Sequence, residues 1–241
     1  MASKKARNMQ KMQRLWEYGD APKTLEGHPF YGLELDDEQK IFAEAIWNPE
    51  NLIVFTNACA GSGKTTIAVG VANMLYQYGL YDGIVYVVAP VQEEKSGFLP
   101  GDADQKTHVY AAPLYDALDA LGIDPYDVIN QESISNQKNG TGYIDCVSHL
   151  WLRGCNLKNK IVIIEESQNF YKDELKKVIT RVSDTSKTIV IGHTGQCDLY
   201  HYPERSGFAP YIEHYRGEPY AQICTLTKNY RGKVSTHADK L

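Results

Sequence analysis

The run Ala58-Cys59-Ala60-Gly61-Ser62-Gly63-Lys64-Thr65 sets two glycines, a lysine and a hydroxyl at the spacing G-x-x-x-x-G-K-[ST], with alanine at the first position. That spacing suits phosphate chemistry. Backbone N–H groups of such a turn cradle phosphate oxygens, and the helix that follows presents its positive dipole end to them. Gly61 and Gly63 permit backbone geometry and a close approach that a Cβ would block. Lys64 is then expected to reach the β- and γ-phosphates of a nucleotide and Thr65 to join a Mg²⁺ shell. Ala60, Ser62 and Thr66 complete the expected phosphate contacts.

A second chemical element lies in "IVIIEESQNF", where an apolar run ends in Glu165-Glu166. One carboxylate there faces the magnesium, and the next can polarise a water at the γ-phosphate. The pair narrows the choice of reaction. Kinases lack the second acid in that role, and the N-K-x-D base-reading motif of GTPases does not occur. ATP hydrolysis with Mg²⁺ is therefore the expected chemistry. In "TIVIGHTGQCDL" a further apolar run delivers Gln196, a side chain suited to orient water or report the state of the nucleotide.

These groups must be held by strands and helices in alternation. Leu52 to Thr56, Ile84 to Ala89, Ile161 to Glu165 and Thr188 to Gly192 are continuous apolar runs, as strands covered on both faces require. Ala221 to Leu226 and Tyr143 to Ser148 read as two more strands. Helices are expected over Glu38 to Trp47, Lys64 to Tyr78, Gln105 to Leu121 and Asp173 to Val182. The polar stretch Glu132 to Gly142 reads as a long exposed loop. The predicted class is α/β, a mainly parallel sheet with helices on both faces.

The chain has 241 residues, enough for one such domain over 31–241 behind a basic N-terminal arm at 1–30. Its first fourteen residues hold five positive side chains and no acidic one, although the net charge is -5. No apolar stretch follows them, which speaks against a signal peptide, a lipid anchor or a membrane span and for the cytoplasm. The five cysteines lack the short paired spacings of a zinc or redox motif and are expected as free thiols.

Taken together, the residues from about Leu35 to Arg231 resemble the PhoH-like proteins, with superfamily-one helicases as wider relatives. The most specific part is "GFLPGDADQKTHVYAAPLYDAL" (Gly97 to Leu118); Arg153-Gly154, "EESQN", "ITRV" with Ser186-Lys187, and "GHTGQCDL" add to it. The resemblance implies a RecA-like P-loop ATPase. It also implies an adenine-reading role for Gln39 and a γ-phosphate arginine at Arg231. Arg181 is the competing arginine, and one of the two is a candidate to reach a neighbouring subunit. A ring-shaped homo-oligomer, a hexamer, is implied as well, with RNA or single-stranded nucleic acid as a partner; the short single-domain form suits a bacteriophage origin. Three positions depart from the pattern. Glu165 and His193 stand where the family usually has Asp, and Ala89 where it often has Arg. The departures at Glu165 and His193 motivate a second reading, a nucleotide-gated binding or assembly module with little turnover.

Overall fold

The computed structural model describes residues 19–89, 111–132, 136, 142–197, 199 and 203–238. The chain forms α1 (Asp37–Trp47), β1 (Ile53–Ala58), α2 (Lys64–Gln77), β2 (Ile84–Val88), α3 (Ala112–Ala120), the short α4 (Pro125–Val128) and β3 (Ile144–Ser148). Then follow β4 (Ile161–Ile164), α5 (Lys172–Ile179), β5 (Lys187–Gly192), α6 (Phe208–Tyr215), β6 (Ala221–Leu226) and α7 (Lys233–Ala238). All six expected strands are present.

They lie in one sheet of order β3-β2-β4-β5-β1-β6, with every pairing parallel. Alternate residues of a strand point to opposite faces, and here both faces are covered. On one side Val54, Tyr86, Ile163 and Ile189 pack with residues of α1, α2 and α3. On the other Phe55, Val87, Val162 and Val190 pack with Phe170, Leu175 and Val178 and with Phe208 and Ile212 of α6. This double cover explains why the central strands are apolar without alternation. The topology is that of the RecA-like P-loop fold. One strand, β5, separates β1 from β4, and β3 is added at the outer edge beyond β2.

Because all strands run the same way, their C-terminal ends share one edge. Ala58 ends β1 there, and Glu165 and His193 follow β4 and β5, on three neighbouring strands. The start of α1 is tied to the same edge by Gln39, whose Nε2 donates to Ser62 O at 2.9 Å, and is itself closed by a capping box. Asp36 Oδ1 accepts from Gln39 N at 2.8 Å, while Gln39 Oε1 accepts from Asp36 N at 3.0 Å.

Some expectations shift. α5 ends at Ile179 rather than Val182, because Arg181 and Ser183 turn away to pair with Leu157: Leu157 N donates to Arg181 O at 2.8 Å, and Ser183 N to Leu157 O at 3.0 Å. Residues 21–30, grouped above with the basic arm, pack on the domain. Trp47 Nε1 donates to Pro22 O at 3.0 Å, and Phe30 lies in the core beside Gly70 of α2. Residues 1–18 of that arm, 97–110 of the signature segment, 105–110 of the helix expected from Gln105, and all but 132, 136 and 142 of the 132–142 loop lie outside the described residues. The five cysteines are free thiols, as expected. No helix among the described residues is long and apolar enough to cross a membrane.

Lys187 is a residue whose burial the sequence did not announce. It opens β5 only 1% exposed, and its ammonium donates to the carbonyl oxygens of Asn51 and, at 2.7 Å, Asn48. Those carbonyls close the C-terminal end of α1, where a cation is favoured. Burial pushes the Lys187 pKa down to about 8.

Candidate functional site

The turn after β1 has the geometry its composition predicted. Gly61 and Gly63 hold φ of 68° and 80°, the left-handed region in which a side chain is strained. Gly63 caps α2, and the first-turn N–H groups of a helix have no partner within it. Those donors lie at the shared edge of the sheet. A Cβ on Gly61 would lie 2.7 Å from both Arg231 Cγ and Asn229 Oδ1, so the late arginine lies directly against the turn. Tyr230 N donates to Gly61 O at 2.8 Å, and Cys59 N donates to Leu226 O at 3.0 Å. The end of β6 and the segment after it are thus each bonded to the turn once.

The two acids face the turn. Lys64 Nζ lies 3.4 Å from Glu166 Oε1, and Thr65 Oγ1 donates to Glu165 Oε1 at 3.1 Å. Glu166 reaches back because its own backbone turns left-handed, at φ 46° and ψ 48°. For a non-glycine residue that conformation costs on the order of 1 kcal/mol or more and persists when neighbours over-determine it. Lys64 is one such neighbour. The other is Gln168, whose Nε2 donates to Glu166 Oε2 while its Oε1 accepts from His193 N at 3.0 Å. Gln168, unremarked in the sequence beyond its place in "EESQN", therefore ties the acid to the end of β5.

Glu165 is almost fully buried, 2% exposed. Burial first, and then the neighbouring Glu166 carboxylate, push its pKa up to about 7, against the opposing pull of Lys64 and the hydroxyls of Tyr86 and Thr65. The folded state therefore holds this proton more tightly than the unfolded chain does. Stability contributed by the protonated form is present below about pH 4.5 and is lost as pH rises through about 7. Glu165→Gln removes the titration. The melting temperature of ligand-free wild type is expected to fall relative to that of Glu165→Gln between pH 5 and pH 8; parallel profiles would show that Glu165 does not titrate in this window.

The remaining sequence candidates divide. Gln39 lies beside the turn, its Nε2 donating to Ser62 O at 2.9 Å and its Oε1 engaged in the α1 cap. These bonds use one hydrogen of its amide nitrogen and one lone pair of its oxygen, which leaves a second of each for an adenine edge. Gln196 is exposed in the turn after β5, its N–H donating to His193 O at 3.3 Å. The His193 ring is half-buried, with Nδ1 lacking a hydrogen-bond partner among the described residues. Ala60 and Thr66 keep their places in the turn and in the first turn of α2. Ser62 is buried, and its hydroxyl has no partner among the described residues. Arg181 stands apart. It precedes β5 and pairs with the residue ahead of β4, at the N-terminal edge of the sheet, so it does not join the phosphate turn of its own chain. Sequence spacing also missed a clasp between β1 and the β5 turn, in which Asn57 Oδ1 accepts from Thr194 N at 3.0 Å and Asn57 Nδ2 donates to Thr194 Oγ1 at 3.1 Å.

The family model described as PhoH-like protein matches residues 34–237. The chain belongs to the PhoH-like family. Among similar proteins, a PhoH-like protein of Synechocystis sp. is 36% identical over 170 residues, which is 70% of this chain and 48% of that protein. A PhoH-like protein of Mycobacterium leprae is 34% identical over 162 residues, 67% of this chain and 44% of the relative. Protein PhoH2 of Bacillus subtilis is 27% identical over 208 residues, 85% and 46% of the two chains. This PhoH-like chain spans about half the length of the curated relatives it matches. Among solved structures, Pif1 from Bacteroides sp in complex with ADP-AlF4 aligns with a TM-score of 0.39 and 19% identity, over 83% of this chain and 44% of that one. The Hef helicase domain of Pyrococcus furiosus gives 0.40 and 13%, over 78% and 37%. Similarity of that order transfers no residue role. Membership of the PhoH-like family, together with the phosphate turn, makes the chain a P-loop nucleotide-binding protein.

Proposed function

We propose that the chain is a Mg²⁺-dependent ATP hydrolase. The observation that carries this reading is the meeting of turn and acids, with Lys64 3.4 Å from Glu166 and Thr65 3.1 Å from Glu165. Lys64 neutralises charge on the β- and γ-phosphates. Glu166 takes a proton from the attacking water, held toward the turn by its backbone and by Gln168. Gln196 orients that water, and Arg231 offsets charge that develops on the transferred group. Gln39 braces the turn from α1 and offers its second amide hydrogen and second lone pair to the adenine edge.

Magnesium is a hard cation that takes oxygen ligands, usually one or two from the protein with the rest from phosphate and water. The oxygens of Thr65 and Glu165, side by side at the edge, fit that demand and are the residues that would hold it. The ion would supply charge neutralisation at the phosphates. Glu165 is longer than an aspartate by one methylene, which favours hydrolysis weakened in rate over a site with none.

A ring-shaped homo-oligomer and coupling of turnover to RNA or single-stranded nucleic acid extend the same reading. This extension rests on what the resemblance to the family implies. Arg181, at the far edge of the sheet, serves the assembly in this scheme by reaching the site of a neighbouring subunit.

The test is phosphate release by purified wild type and Lys64→Ala, with and without single-stranded RNA, on samples whose mass in solution is known. Expected are Mg²⁺-dependent turnover in wild type, loss of nearly all of it in Lys64→Ala, and a rise with RNA that falls steeply with salt. Wild type that binds ATP yet releases no more phosphate than Lys64→Ala would overturn hydrolysis in favour of the nucleotide-gated module. A flat response to RNA removes that partner.

A further inference from the structure

Glu165 hangs between two hydroxyls. Oε1 accepts from Thr65 at 3.1 Å, and Oε2 accepts from the phenol of Tyr86 at 2.9 Å. Tyr86 is the central residue of β2, paired with Ile163 of the neighbouring strand β4. Its side chain is wholly buried among the apolar residues of the sheet face that carries α2. A phenylalanine would fill the same space without a polar atom. A buried hydroxyl without a partner is costly, so a tyrosine here needs its acceptor, and the Glu165 carboxylate is that acceptor.

The need runs the other way as well. A glutamate carboxylate swings about one more torsion than an aspartate carboxylate, and an ionised one this deeply buried must be bonded at both oxygens or move. Thr65 belongs to the phosphate turn and holds one oxygen only. Its hydroxyl also has a second task if a cation sits beside it, because it must then present its lone pair to the ion. Tyr86 has no such second task, since it lies behind Glu165 in the core. Burial and the two nearby carboxylates hold its own pKa far above the ordinary phenol range, so it remains a donor throughout.

We propose that Tyr86 is a positioning residue of this site: its hydroxyl pins Oε2 of Glu165 and so keeps Oε1 directed at Thr65 and at a divalent cation carried in with the nucleotide. The inference rests on the nucleotide reading above and goes beyond it. It assigns a function to a core strand residue remote from every motif, and it makes Tyr86 and Glu165 one unit. Glu165 without Tyr86 is free to swing away; Tyr86 without Glu165 is an orphaned buried hydroxyl.

The experiment measures the Mg²⁺ concentration that gives half-maximal binding of a fluorescent ATP analogue, beside binding of the same analogue in EDTA. It compares wild type, Tyr86→Phe, Glu165→Asp and the double variant. Loss of a group that orients a metal ligand costs roughly 10- to 100-fold in metal affinity. Tyr86→Phe is accordingly expected to raise the half-maximal Mg²⁺ concentration by about tenfold or more, with binding in EDTA unchanged. In the Glu165→Asp background the shorter side chain no longer reaches the phenol, and Tyr86→Phe is expected to change nothing further. Tyr86→Met, apolar and without the hydroxyl, is expected to show the same Mg²⁺ shift if the phenylalanine variant folds poorly. An unshifted Mg²⁺ dependence in Tyr86→Phe, an equal loss in EDTA, or the same Mg²⁺ shift in both backgrounds would overturn the proposal. Wild type that binds no analogue at any Mg²⁺ concentration sinks the nucleotide reading together with this proposal. Wild type that binds normally beside an unaffected Tyr86→Phe sinks the proposal alone.

Discussion

Arg231→Ala is expected to lower ATP turnover by about 10³-fold, the scale on which an arginine offsets transition-state charge in phosphoryl transfer. The expectation follows from placement. The side chain lies against Gly61, and its backbone N–H donates to Asn229 Oδ1 at 2.8 Å, a bond that fixes the direction in which the arginine leaves the chain. Nucleotide binding should suffer far less than turnover, because the guanidinium is asked to act on charge that develops during transfer and not on the ground state. Arg181→Ala provides the contrast. Since Arg181 sits at the opposite edge of the sheet, its loss is expected to leave turnover of an isolated chain unchanged and to matter only where a neighbouring subunit is present. Mixing Arg181→Ala with Lys64→Ala protein tests this, since a site completed by a neighbour regains activity in mixed assemblies. Equal turnover in wild type and Arg231→Ala would remove Arg231 from the chemistry.

Glu166→Gln is expected to reduce turnover by roughly 10²- to 10⁴-fold, the span of a general base, while leaving nucleotide bound. The amide keeps the volume and retains an oxygen, but it cannot take a proton from water. Two further effects follow from the geometry. The ion pair at 3.4 Å is lost, which frees Lys64 for phosphate, so affinity for ATP should hold or rise. The bond from Gln168 can be kept by the new amide oxygen, so the end of β5 should stay in place. The measurement is single-turnover phosphate release beside equilibrium ATP binding for the two proteins. A variant that hydrolyses as fast as wild type would show that Glu166 is not the base, and one that fails to bind ATP would show that its main task is to hold the turn.

How much of this was legible in the sequence depends on the range over which each feature acts. The strands could be read because both faces of the sheet are buried, which leaves runs such as "IVII" with no polar interruption. The turn could be read because glycines at left-handed φ, a helix start and the Lys64-Thr65 pair are all local. Glu165 and Glu166 could be read as an acidic strand end, and Arg231 as an arginine late in the chain.

Side-chain pairs across strands could not. Nothing in "IVYVV" says that Tyr86 lies behind Glu165, because that bond depends on β2 being the neighbour of β4. Nothing in "GHTG" says that Thr194 closes onto Asn57, and the sequence gives Gln39 no partner at Ser62. Nor does the motif around Arg181 say that the turn after α5 carries it to the opposite edge of the sheet from the phosphate turn. Lys187 lay just outside the strand read from Thr188, and only the approach of the end of α1 explains why its ammonium is buried.

Thr227 hydrogen-bonds Glu38 through both its N–H, at 2.7 Å, and its hydroxyl, at 2.9 Å, and the phenol of Tyr230 reaches Asp36. The arginine that follows is thus moored to the head of α1 as well as to β6. A tilt of that helix would sweep the guanidinium across the phosphate turn like the arm of a crane. A partner that grips α1 is therefore expected to act on Arg231, and through it on turnover, from outside the phosphate turn.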